Sequence, residues 1–246
     1  ELKSKGVMRA YEGKLALNYN DYIRIVQSTI MLSADSRFLH LFLISCFQMI
    51  ARSDTIGELR YDFLSMENDS ILARIPKHKG DQTGEQIFPK HLYANPEEAS
   101  SCFFVALGLH FFTNMSPANG RIFQTGVKNS ISKPFQRVLK EISPFIEEFD
   151  PDDHGLHSLR KAAATYGSGF PGGPNQMSIF LRANWSIGQI KDRYINPSEG
   201  NDQYLGRILA GLDYNSTSFG SLPPHFGTPD EVMGNIVLHS HNYNEL

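Results

Sequence analysis

The chain has 246 residues, 41% of them apolar, and a formal net charge of −3. That length allows one large domain or two small ones, the apolar share is enough for a core, and the slight acidity excludes nucleic-acid binding through bulk charge, leaving only a local basic groove for it. Two cysteines, Cys46 and Cys102, exclude a disulfide framework and point to a reducing compartment, each of them as a buried apolar residue.

The first seventeen residues have weak periodicity, and residues 1–19 precede the first clear pattern. We expect them to be a linker remnant or N-terminal extension of a longer protein, with no signal peptide or lipidation motif. From Tyr19 to Leu32 the spacing of Tyr22, Ile23, Ile25, Val26, Ile30 and Met31 predicts a helix, with Asn20 or Asp21 near its cap. A nearly continuous apolar run follows from Arg37 to Ala51. It is too short to span a bilayer, contains His40 and Gln48, and reads as a buried helix that delivers Arg52 at its end. Residues 54–65 read as a third helical segment. Ser70–Pro76 alternates and predicts a strand, Lys77–Gly84 a turn-rich tip, and Gln86–Pro89 the returning strand. Lys79 would stand at or near the tip of that hairpin.

Pro96–Thr113 predicts another apolar helix, and 115–120 a loop. Lys128–Ile142 predicts an amphipathic helix with Lys128, Lys133, Arg137 and Lys140 on its polar face. Acids crowd into Glu147, Glu148, Asp150, Asp152 and Asp153; further bases are Arg160, Lys161, Arg182, Lys191 and Arg193. Residues 202–212 read as a helix. From Asn215 onward Gly, Pro, Ser and Asn dominate, which makes 216–246 a tail that packs on the domain or reaches a neighbour.

The chemistry concentrates between His154 and Tyr194. His157 and Arg160 share a helix face if Lys161–Tyr166 continues the helix. Ser186 and Gln189 fit a capping box, so a short helix should follow Trp185 and carry Tyr194 before Pro197 stops it. Arginines suit phosphate oxygens, through paired N–H donors. A phenolic oxygen attacks phosphorus only where spread negative charge is stabilised, and its pKa of about 10 needs help from cations or a base. No set of Cys and His completes a metal site, and the Gly167–Pro174 loop lacks the Gly-Lys-Ser/Thr of a phosphate-cradling loop. A metal-independent phosphoryl transfer, with no cofactor, is the chemistry these groups suit.

Arg52, Lys79, His157-x-x-Arg160, Trp185 and Tyr194 stand in an order that resembles the catalytic domain of tyrosine recombinases, the phage-integrase type. Arg52-Ser-Asp-Thr-Ile-Gly-Glu-Leu-Arg60-Tyr resembles that family's first arginine helix. The blocks GDQTGEQIFPKHLYANP, HSLRKAAATY, DQYLGRILAGL and LPPHF look closer still to recombinases of eukaryotic mobile elements of the Crypton and DIRS sort. One position departs: where the family places an acid three residues after the first Arg, this chain has Thr55, with Asp54 beside it.

The resemblance implies an α+β, mainly α-helical fold, that of DNA breaking-rejoining catalytic domains, spanning 20–215 with a small antiparallel hairpin. It implies that Tyr194 attacks a scissile phosphate, that Arg52 and Arg160 clamp its oxygens, and that Lys79, or Lys77, protonates the leaving oxygen. His157 would assist proton transfer and Trp185 would support the tyrosine helix. Lys77, Lys128, Lys133, Arg137, Lys161 and Arg182 would contact the DNA backbone. The implied partner is double-stranded DNA, bound by a homo-oligomer (dimer or tetramer), with a nuclear location if the host element is eukaryotic. Two other readings stay open: a domesticated DNA-binding protein that has lost the reaction, and a type IB topoisomerase.

Overall fold

A computed structural model describes residues 13–30, 38–76, 88–113, 120–123, 127–185 and 199–213, with backbone alone at 127–130 and 199–200. Helix α2 (Phe38–Gln48) forms the centre. Leu39 through Gln48 are all buried, as befits a helix that is apolar on every side. Around it pack α1 (Tyr19–Thr29), α4 (Phe103–Thr113), α5 (Val127–Ile142) and α6 (Leu156–Gly169). Asn18 caps α1 by accepting from the Asp21 amide at 2.8 Å, so the cap lies two residues before the expected Asn20. Tyr22 stacks on Phe47 with ring centroids 3.8 Å apart, and Tyr19 on Tyr166 at 4.1 Å, which ties α1 to α2 and α6.

The sheet is small and antiparallel, in the order β1 (Leu64–Glu67), β2 (Ser70–Ala73), β3 (Lys90–Tyr93). Asn68 makes the β1–β2 turn at φ 52°, a left-handed conformation that asparagine tolerates. Buried Asp69 in the same turn accepts from Arg207 Nη2 at 2.7 Å. That arginine lies on α8 (Glu199–Leu209) and stacks over the Tyr93 ring at 4.2 Å. Gly206 lets α8 approach β3 closely, since a Cβ there would meet the His91 carbonyl at 2.4 Å.

Three expectations change. The helix expected over 54–65 is only α3 (Ser53–Gly57); the chain then pairs with a distant segment, Tyr61 N donating to Gly120 O and Ile122 N to Leu59 O, and continues as β1. Tertiary pairing has overridden local periodicity there. Strand β3 begins at Lys90; of the returning strand expected over 86–89, Phe88 and Pro89 are not part of it, Pro89 having no N–H for the ladder, and Gln86 and Ile87 lie outside the described residues. Helix α4 begins at Phe103, not Pro96: the Asn95 side chain accepts from the Glu97 and Glu98 amides, and Glu98 from Ser100, so that stretch is a capped turn. The sequence also carries an element that was not expected, α7 (Gln176–Arg182), capped by Asn175.

Candidate active site

Three helices end by one device. In each the last amides turn back, one by five residues and one by three, around a residue in the left-handed conformation. At α8 that residue is Gly211, φ 85°, with Leu212 N donating to Arg207 O and Gly211 N to Ile208 O. At α7 it is Asn184, φ 53°, with Trp185 N donating to Phe180 O; the Trp185 and Phe180 rings pack 5.6 Å apart, the apolar contact this motif favours. At α2 it is Ile50, φ 47°, with Ala51 N donating to Cys46 O and Ile50 N to Phe47 O. A β-branched residue is strained in that conformation, by about 1–3 kcal/mol. The strained turn leads straight into Arg52, which is half-buried and opens α3.

Helix α6 supplies the second arginine. Gly155 N donates to Ser158 Oγ at 3.0 Å, closing the first turn, where His157 is exposed. One turn on, Arg160 is buried, 6% exposed. Its Nη2 donates to Ala183 O, and its guanidinium lies 5.5 Å from the centre of the Trp185 ring. Burial, then the positive charge of Arg52, pull the Arg160 pKa down to about 10. The pair is thus close enough to repel and incompletely solvated, and Arg160 Nε has no acceptor among the described residues. An anion with two or more oxygens relieves all three conditions. Beside it, Ser53, His157 and the start of α6 line an open pocket of about 320 Å³ with Lys14, Ser132, Phe135 and Gln136.

Of the residues singled out in the sequence, Arg52 and Arg160 thus lie within electrostatic reach of each other, Trp185 packs on Arg160, and His157, one turn before Arg160, opens onto the pocket that Ser53 also lines. Lys77, Lys79 and Tyr194, and the helix expected after Ser186, lie outside the described residues, as does the Lys128 side chain. Lys133 and Arg137 are exposed on α5, and Lys161 on α6, where its Nζ donates to Lys14 O at 2.6 Å. Arg182 is a correction: it is 1% exposed and cannot face DNA. Its Nη1 meets Asp202 Oδ1 at 2.6 Å, its Nε donates to Gln48 O at 2.9 Å and its Nη2 to His91 O at 2.8 Å. At the departing position Thr55 is buried while Asp54 is exposed.

Sequence reasoning missed Lys90. It is buried, donates from Nζ to Met49 O at 3.2 Å, and has its pKa pushed down to about 7 by burial, then by Arg182, with Asp202 opposing and Arg160 adding to the fall. Asp202 also accepts from the His91 amide at 2.7 Å, and burial notwithstanding, Arg182 and His91 hold its pKa below the usual value. No signal marked it: the block Lys90-His91-Leu92-Tyr93 does not alternate, and all four residues are buried in β3. Among the described residues no three His, Cys, Asp or Glu side chains group to hold a metal.

By sequence, no family model and no curated protein matches the chain. Several solved structures match it in fold. The XerH site-specific recombinase bound to its difH substrate superposes with a TM-score of 0.52 at 16% identity, over 78% of this chain and 50% of that one. The Tn1549 transposon integrase in complex with transposon right-end DNA gives 0.55 at 14%, over 82% and 68%. A Flpe–DNA Holliday junction complex gives 0.56 at 12%, over 91% and 59%. The chain thus has the fold of tyrosine recombinase catalytic domains, and spans about half the length of the XerH chain.

Proposed function

We propose that the chain is the catalytic part of a site-specific DNA recombinase or transposase that cuts and rejoins DNA through a 3′-phosphotyrosyl intermediate. The observation that supports this most is the convergence of Arg52 and Arg160, a mutually repelling and half-desolvated pair, beside His157 and Trp185 on this fold. Arg52 and Arg160 bind the non-bridging oxygens of the scissile phosphate, where charge grows in the transition state. The Tyr194 oxygen attacks phosphorus and gives up its proton, with His157 assisting; the bond from phosphorus to the 5′-oxygen breaks, and Lys79 delivers a proton to that oxygen. A 5′-hydroxyl from another strand reverses the step and seals the exchange. The bond energy stays in the covalent link, so neither ATP nor a metal enters.

Double-stranded DNA is the partner, held in part by Lys133 and Arg137 on the exposed face of α5, and the working unit is a homo-oligomer. The sequence blocks favour a eukaryotic mobile element of the Crypton or DIRS sort, and hence a nuclear location. The test is a nicked duplex bearing the end sequences of the element that encodes the chain. A covalent protein–DNA adduct on a denaturing gel, lost in Tyr194→Phe, is expected. A chain that binds this duplex and forms no adduct would be a DNA-binding protein instead; relaxation of supercoils by a monomer would point to a topoisomerase.

A further inference from the structure

We propose that Arg182, held by Asp202 and seconded by Lys90, is the positioning residue that aims Arg52 and fixes Arg160 beside it. This deepens the recombinase reading and rests on it. The last carbonyls of a helix have no partner within the helix, and at α2 those of Gln48 and Met49 are buried. Arg182 Nε donates to the first at 2.9 Å and Lys90 Nζ to the second at 3.2 Å. Both donors sit at the negative end of the helix dipole, where the charge of Arg182 is favoured. They clamp the backbone immediately before Ile50, whose left-handed φ of 47° sets the direction in which Arg52 leaves α2. A strained residue of this kind persists only where its surroundings over-determine it.

The same arginine also governs the second clamp. Arg182 is followed by Ala183, whose carbonyl accepts from Arg160, and then by Asn184 and Trp185, whose ring lies against the Arg160 guanidinium. Fixing Arg182 therefore fixes both the start of the Arg52 segment and the seat of Arg160. Asp202 completes the hold: Oδ1 takes Arg182 Nη1 at 2.6 Å, and Oδ2 takes the His91 amide at 2.7 Å, so β3 and α8 brace the arginine from behind. None of these groups touches the pocket beside His157. Their effect on the reaction runs through the two arginines.

The test uses Arg182→Lys in the full chain. Lysine keeps the charge toward Asp202 but cannot reach Gln48 O, His91 O and Asp202 at once, because it lacks the planar fork. DNA affinity, single-turnover cleavage of the nicked duplex and hydrogen exchange at the Met49, Ile50 and Ala51 amides are measured together. The expected result is affinity within about twofold, cleavage slower by roughly thirtyfold, and faster exchange at those three amides. Cleavage is then repeated on a duplex with a methyl group in place of one non-bridging oxygen of the scissile phosphate. That phosphate asks less of the clamp, so the deficit of Arg182→Lys should shrink to about threefold or less. An equal deficit on both duplexes, or affinity and cleavage falling together, overturns the proposal. If the lysine variant does not fold, Asp202→Asn, which leaves the arginine in place, is held to the same pattern. If the unmodified chain forms no adduct, the recombinase reading falls by itself, and exchange at 49–51 decides the positioning claim: unchanged exchange overturns it.

Discussion

Helices α2 and α8 finish with the same pair of backward hydrogen bonds, yet with opposite choices at the residue that turns. Helix α8 uses Gly211, where any Cβ would meet the Tyr19 hydroxyl at 2.3 Å and the φ of 85° suits glycine alone. Helix α2 uses Ile50, a residue that resists the same conformation, and compensates with two buried side-chain donors, Arg182 and Lys90, on its last carbonyls. Gly211 leads to Leu212 and Asp213, to which no step of the proposed reaction is assigned, whereas Arg52 follows Ile50 by two residues. The difference teaches that a relaxed turn ends a helix, while a strained and externally clamped one also aims what comes next.

The largest expected effect separates the two ends by what they are for. Arg52→Ala should slow adduct formation by about 3–4 kcal/mol, on the order of a hundredfold or more, and leave the melting temperature nearly unchanged. A melting temperature that falls with the rate would make Arg52 part of the structure. Gly211→Val is the mirror case. Its strain and its clash with Tyr19 should cost about 3 kcal/mol in chemical denaturation. A variant as stable as the parent would deny that α8 needs glycine there.

Lys90 gives the α2 end a pH dependence near neutrality. Its folded pKa, about 7, lies below the unfolded value, so the unfolded chain binds the extra proton between them. Stability from this group therefore rises with pH from about 7 towards about 10.5, by at most about 1.4 kcal/mol per unit, and is flat below that window. Denaturation at pH 7.5 and 9 should show the gain in the parent and a smaller one in Lys90→Met; parallel curves would remove Lys90 from the account. The smallest effect tests the strain itself. At position 50, Gly should be more stable than Ala by about 1 kcal/mol, the reverse of the usual order, because both lose the isoleucine side chain and only Ala keeps the strain. Ala above Gly in urea titrations would mean that the turn is relaxed.

The sequence shows most of this where function and local pattern coincide. The apolar run that becomes α2 announces both a buried helix and the arginine at its end, and His157-x-x-Arg160 announces its own helix face. Strand β1 was hidden because the stretch before it, Leu59–Tyr61, is drawn out of the expected helix by pairing with residues 120–122 far along the chain, which leaves Leu64–Glu67 to pair as a hairpin with Ser70–Ala73. Arg182 was misread for a related reason. A basic residue near a basic cluster reads as surface, and nothing local tells that Asp202, twenty residues on, is folded back to meet it. Lys90 and the left-handed Ile50 were invisible for the same cause: helix-end carbonyls and backbone angles leave no mark in composition.

The bond between Arg182 and Asp202 also sets an order of events during synthesis. Asp202 lies on α8, among the last described residues to leave the ribosome, while the carbonyls that Arg182 caps belong to α2, made far earlier. Until α8 docks, Arg182 lacks its counter-ion, and burying it alone is costly. The clamp on Arg52 therefore closes only when nearly the whole domain has been made, so an unfinished chain carries both arginines without yet holding them as a pair.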